Sequence, residues 1–232
     1  EQAGIAGNCG AVFSLIEGNE VSDIHLRMRF AGMEQGGIKL HAAIDVVVRG
    51  NCVYRTGHRA RGIWLDWMAQ GGQILDNLIY DTRAPALYLE VNHGPILVAN
   101  NIAIGHVALC NRSKGTAYVH NLFVGECVLG NTTRVTPYMA PHETMIVGDY
   151  ENWNGDDQFY NNIFAASNGS EEVVLGSELV PAGRERKAAK YDDPDMPTRM
   201  EGNLYINGAM PNDLDTHAAV VDARAASELS AE

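Results

Sequence analysis

Seven asparagine-led apolar strings, short β-branched runs cut by glycine and an almost complete lack of the 3.6-residue helical period predict an all-β chain wound as a parallel β-helix. The strings are Asn19-Glu-Val, Asn51-Cys-Val, Asn77-Leu-Ile, Asn101-Ile-Ala, Asn121-Leu-Phe, Asn162-Ile-Phe and Asn203-Leu-Tyr. Intervals of 32, 26, 24, 20, 41 and 41 residues separate them. The middle values each describe one coil of a solenoid, and the two longest leave open either two coils or one coil carrying a long loop. Asparagine suits the sharp corner between strands because it tolerates the left-handed conformation and hydrogen-bonds locally. An antiparallel sandwich would instead show Asn-Gly or Asp-Gly hairpin turns about every 8–12 residues.

The composition fits this reading. Of the 232 residues, 46% are hydrophobic and 20% charged, enough to fill one core and inconsistent with a disordered or collagen-like chain. Setting 17 Lys and Arg against 29 Asp and Glu leaves a net charge of −12, which argues against nucleic acid or an anionic membrane as partner. No uncharged apolar run approaches the roughly 18 residues of a membrane span. Cys9, Cys52, Cys110 and Cys127 lie far apart and form no CxxC pair, so reduced core thiols are expected rather than a disulfide framework or a zinc or other metal site. The chain opens on Glu1 with neither an initiator Met nor a leader, as a processed or truncated piece would. Its compartment is therefore unwritten, with a cytoplasmic address as the default.

Along the chain, residues 1–210 read as the solenoid and residues 211–232 as a C-terminal tail. Within the first, residues 183–197 form a polar, proline-containing excursion expected to be a solvated loop. The alanine-rich stretch 212–232 is expected to make a short terminal helix.

Counting back from the asparagine corners aligns four strings: Ile38-Lys-Leu-His41, Ile63-Trp-Leu-Asp66, Leu87-Tyr-Leu-Glu90 and Val107-Ala-Leu-Cys110. Strand side chains alternate, so the Ile, Val and Leu positions point into the core. Two outward columns remain, Lys39/Trp64/Tyr88/Ala108 and His41/Asp66/Glu90/Cys110. Adjacent strands lie about 4.8 Å apart, which stacks Asp66 against Glu90. Two carboxylates so close require that one hold a proton or that a cation intervene. A pair separated by about 5–5.5 Å, one ionised and one protonated, is what retaining glycoside hydrolysis uses. Trp64 and Tyr88 offer flat faces for sugar C–H groups, and Lys39, His41 and His93 stand ready to hydrogen-bond hydroxyls. Trp67 is expected to face inward as core.

At these residues the chain resembles glycoside hydrolase family 120, β-xylosidases built on a right-handed parallel β-helix. The resemblance is carried by Glu34-Gln-Gly-Gly-Ile-Lys-Leu-His41, Gly62-Ile-Trp-Leu-Asp-Trp-Met-Ala-Gln70 and Glu90-Val-Asn-His-Gly-Pro95. Further on, Thr136-Pro-Tyr-Met-Ala-Pro-His142 and Gly155-Asp-Asp-Gln-Phe-Tyr-Asn-Asn-Ile-Phe164 follow in the family's order, so that the likeness spans roughly residues 10 to 210. It implies Asp66 as nucleophile, Glu90 as general acid/base, His142 among the substrate-binding residues, no cofactor, and a small oligosaccharide as the binding partner. Family members are longer, with earlier coils and a β-sandwich that this chain lacks. Its first coil is thus expected to present an edge that a second copy or a missing N-terminal part would cover. Gln70-Gly-Gly-Gln73, Ala84-Pro-Ala-Leu87 and Pro141-His-Glu-Thr144 depart from the family's strings near the site and bear on substrate preference.

Two other readings compete with a retaining exo-glycosidase acting on short xylo-oligosaccharides. A β-helix polysaccharide lyase would gather several acids around Ca²⁺ with Arg or Lys as base, whereas the column holds two acids. A non-catalytic carbohydrate-binding fragment would bind sugar without turnover.

Overall fold

The computed structural model describes residues 2–8, 11–29, 32–130, 132, 134–152, 154–167 and 196–221. Each of the first three coils contributes one short strand to each of three walls. The first coil is β1 (Ala3–Asn8), β2 (Leu15–Glu17) and β3 (Glu20–Ile24); the second is β4 (Gly36–His41), β5 (Val47–Arg49) and β6 (Cys52–Thr56). The third is β7 (Arg61–Asp66), β8 (Gly72–Leu75) and β9 (Leu78–Thr82), and the fourth begins with β10 (Leu87–Glu90) and β11 (Ile96–Ala99). From there β12 (Ile102–Arg112) runs unbroken from the third wall into the first, pairing with β9 through its N-terminal half and with β10 through its C-terminal half. After β13 (Thr116–Val119), β14 (Leu122–Leu129) repeats that path. Where β14 bends between walls, Gly125 has φ 126°, and a Cβ there would lie 1.9 Å from the Gly105 carbonyl oxygen of the coil beneath. Only glycine fits such an approach.

An antiparallel hairpin, β15 (Arg134–Met139) and β16 (Ile146–Asn152), then leaves the solenoid before β17 (Gln158–Tyr160) and β18 (Ile163–Ala165) resume it. β13 pairs directly with β17, so the first 41-residue interval is one coil bearing an insertion rather than two coils. The second is also one coil, because β17 pairs directly with β19 (Arg199–Glu201). Residues 183–195 of the expected polar excursion lie outside the described residues. β20 (Leu204–Ile206) pairs in parallel with β21 (Ala219–Val221). The sheet thus runs into the segment read as a tail, and residues 212–221 form turns and a strand where a helix was expected. Leu204, Tyr205 and Ile206, held by β18 on one side, pair on the other with Ala219, Val220 and Val221, whose β-branched valines suit a strand.

Among the described residues every strand-to-strand pairing outside the hairpin is parallel, and side chains repeat in register from coil to coil. Ile38, Ile63, Leu87 and Leu109 form one inward column, and Leu40, Leu65 and Leu89 another, all essentially inaccessible to water. Toward the C-terminal end aromatics take over the filling, with Tyr118 stacked on Phe159 at 4.4 Å and Phe123, Phe164 and Tyr205 stacked in turn. Such burial supplies most of the stabilisation, since each large apolar side chain removed from water contributes about 1.5–3 kcal/mol.

The asparagines form a ladder, and of the two expected reasons only local hydrogen bonding holds, as where Nδ2 of Asn19, Asn51 and Asn101 donates to the carbonyl two residues earlier. The residues in the left-handed conformation are those immediately before them: Gly18, Gly50, Asp76, Asn100, His120, Asn161 and Gly202. The asparagines also bond between coils. Both the backbone N–H and the Nδ2 of Asn51 donate to Oδ1 of Asn77, at 2.9 and 3.0 Å, and the same pair of bonds recurs up to Asn203. Asn203 donates in turn to Oδ2 of Asp215, which ends the ladder. A buried turn thereby satisfies its polar groups without water. No helix among the described residues is long and apolar enough to cross a membrane.

Candidate active site

β7 and β10 each end in the same pattern, a large apolar residue, an aromatic, a leucine and an acid. Their register sets Trp64 beside Tyr88 and Asp66 beside Glu90 on adjacent strands of the first wall. His41 flanks Asp66 on the other side. One outward column is therefore His41, Asp66, Glu90 and then Arg112, not Cys110. Cys110 sits beside Tyr88, and the second column is Lys39, Trp64, Tyr88, Cys110 and Val128. The count from the asparagine misplaced this coil because only Ser113-Lys-Gly115 links β12 to β13, whereas five residues link β10 to β11.

Asp66 and Glu90 open together into a cleft of about 380 Å³. His41, Trp64 and Trp67 line it with them, and its walls come from Met33 and Glu34, from Arg61, and from Arg134 on the hairpin. Asp66 is nearly buried and forms an ion pair with Lys39, whose Nζ lies 2.8 Å from Oδ2. His41 Nε2 lies 3.8 Å from the same oxygen. Lys39 also pairs with Glu34 and rests 3.9 Å from the Trp64 ring centroid. Burial raises the Glu90 carboxyl above its ordinary range, and the negative Asp66 raises it further; a Tyr88 hydrogen bond and Arg61 oppose both. The two acids thus stand in different environments, one as the anion of an ion pair and one held toward its protonated form.

The other expected site residues divide. Trp64 faces the cleft, yet it is only 2% exposed, sandwiched by Lys39 and by the Arg61 guanidinium at 4.4 Å. Tyr88 is buried beneath Arg61 and packs with Trp64, Val107, Cys110 and Val128 in a small apolar cluster outside the main core. Neither ring is an open platform for sugar. His93 does not reach the cleft. It is buried with Nε2 2.6 Å from Thr136 Oγ1, and burial together with Lys114 lowers its pKa to about 4. His142 is exposed on the hairpin loop and meets Asp45 at 2.7 Å, also outside the cleft lining.

Trp67 reverses its expected place. It lines the cleft, with its ring centroid 5.2 Å from that of His41. The strand stops at Asp66, and positive φ at Trp67 (43°) and Met68 (61°) breaks the alternation that would have turned it inward. Arg61 carried no signal in the sequence, since strict alternation would set it on the inward side with Ile63 and Leu65, yet its guanidinium lies over Trp64. Glu34 lay in one of the strings of the resemblance. Arg134 had none, because it reaches the cleft only through the docking of the hairpin.

The family of the right-handed β-helix region matches residues 1–124, more than half of the chain and inclusive of both acids. The chain belongs to the right-handed β-helix family. Among solved structures, this right-handed β-helix is similar to one described as the complex of XylC with xylose, at 34% identity and a TM-score of 0.76. The likeness covers 94% of this chain and 36% of that one, so the β-helix here spans little more than a third of that protein's length. No curated protein matches the chain.

Proposed function

We propose that this β-helix carries the catalytic pair of a retaining exo-glycosidase of the family 120 type, removing terminal xylose or a similar sugar from short xylo-oligosaccharides. The observation that carries the reading is the adjacency of Asp66 and Glu90 on neighbouring strands at one cleft, with the Glu90 carboxyl held above its ordinary range. The similarity to a structure described as a complex with xylose supports the sugar class.

In this reading the Asp66 carboxylate attacks the anomeric carbon while Glu90 donates its proton to the departing glycosidic oxygen, giving a glycosyl ester on Asp66 and a free alcohol. Glu90, now ionised, takes a proton from water as the water oxygen displaces Asp66 from the anomeric carbon, which restores both groups and retains configuration. Lys39 positions Asp66, and His41 and Trp67 contact the sugar.

A sugar-binding fragment without turnover is the second reading, favoured by the chain's 36% coverage of its xylose-bound neighbour. Assay of the purified chain on a panel of nitrophenyl glycosides, with product configuration followed by NMR, separates the two. Fastest release from the β-xyloside with β-xylose as the first product is the expected result. Binding of xylo-oligosaccharide without release would leave the second reading standing, and an inverted product would reject the roles given to the pair.

A further inference from the structure

The hairpin brings an arginine to the cleft and is itself pinned to the solenoid. Gln70 bonds Met139 reciprocally, its Nε2 donating to the Met139 carbonyl at 3.1 Å and its Oε1 accepting from the Met139 N–H at 2.8 Å. Thr136 meets buried His93 at 2.6 Å, and Asn152 Nδ2 donates to the Asn92 carbonyl at 2.5 Å. Asn152 is the register partner of Arg134, so these buried bonds hold the strand end from which Arg134 projects. Buried polar contacts of this kind fix position as well as adding stability.

The cleft's other cations are engaged. Lys39 is paired with Asp66 and Glu34, and Arg61 lies over Trp64 and Tyr88 while its Nη1 donates to the carbonyls of Met33 and Arg59. Arg134 lines the same cleft, exposed, and makes no ion pair among the described residues. Around the cleft Lys39, Arg61 and Arg134 face the carboxyl groups of Glu34, Asp66 and Glu90, and of the three cations Arg134 is the one that neither an ion pair with those acids nor an aromatic ring engages among the described residues. A guanidinium exposed to a cleft on an anchored backbone is suited to bind a carboxylate through two parallel bonds.

We infer that Arg134 is a specificity residue that binds the carboxylate of a uronic acid substituent on the oligosaccharide held in this cleft. The inference rests on the glycosidase reading for its substrate class, and its test is independent of turnover. Titration calorimetry compares a neutral xylo-oligosaccharide with one of the same length bearing a glucuronic acid branch, on the wild type, Arg134→Gln and Arg134→Lys. The wild type should bind the acidic ligand roughly 10- to 100-fold more tightly than the neutral one, the range expected of a charge-assisted pair. Arg134→Gln should abolish that preference, Arg134→Lys should keep part of it, and rising salt should erode it. Equal affinity of the wild type for both ligands, or a preference that survives Arg134→Gln, overturns the assignment. Absence of hydrolysis with the charge preference intact would defeat the glycosidase reading alone.

Discussion

The ammonium of Lys39 lies 2.8 Å from Oδ2 of Asp66, with both side chains almost shut off from water. The lysine stands one strand below its partner and two residues earlier in its own strand, so that the contact runs diagonally between the two outward columns. It supplies the cation that a pair of stacked carboxylates demands, while Glu90 has Arg112 as its register neighbour on the next strand.

Lys39→Met should therefore strand Asp66 as a nearly buried anion. Breaking a buried pair from one side costs about 3–5 kcal/mol, and urea unfolding should show a loss near the lower end because Glu34, the other partner, is solvent-exposed. Lys39→Arg should recover much of it. An unchanged midpoint in Lys39→Met would show that the pair contributes nothing.

Asp66→Asn should move the Glu90 titration to lower pH, because it removes the negative neighbour, while burial keeps the carboxyl above its ordinary value of 4.5. The sign follows from which form is active. Glu90 must hold its proton to act as an acid, so wild-type activity should fall as pH rises through the raised pKa. Over the same window, from 4.5 upward, the unfolded chain releases a proton that the folded one keeps, and stability should decline with rising pH. Carbon-detected NMR of labelled Glu90 in both proteins reads the shift directly; identical curves would mean that the two acids do not sense each other.

Glu90→Ala should slow hydrolysis of natural oligosaccharides by about 100-fold or more, yet spare the glycosylation step with activated aryl glycosides, whose leaving groups need no proton. Added azide should then accelerate turnover by replacing water as the second nucleophile. Equal losses on both substrate types would remove Glu90 from the acid role.

Asn101→Ala should cost about 3 kcal/mol, since it removes the acceptor shared by the Asn77 N–H and Nδ2 and the donor to the Ile74 carbonyl, all within the buried ladder. Asn19→Ala, at the half-buried end of the same ladder, should cost no more than about 1 kcal/mol. Chemical denaturation of the two variants tests the gradient, and equal costs would argue against burial as its cause.

Periodicity alone determined the solenoid, the inward leucine and isoleucine columns, and the stacking of Asp66 on Glu90, because parallel coils in register convert a linear interval into a spatial neighbour. It failed where interval and register part company: Cys110 was displaced by one corner two residues shorter than the last, and Trp67 by two left-handed residues that ended the alternation. Only the tertiary structure decided what closes around the pair. Arg134 reaches the cleft through a hairpin that Gln70 holds from 69 residues away, and Trp64 and Tyr88 are sealed by Arg61 and their own cluster rather than laid open to sugar. Those outcomes depend on which side chains compete for one volume and one set of hydrogen-bonding partners, a competition that spacing along the chain does not encode.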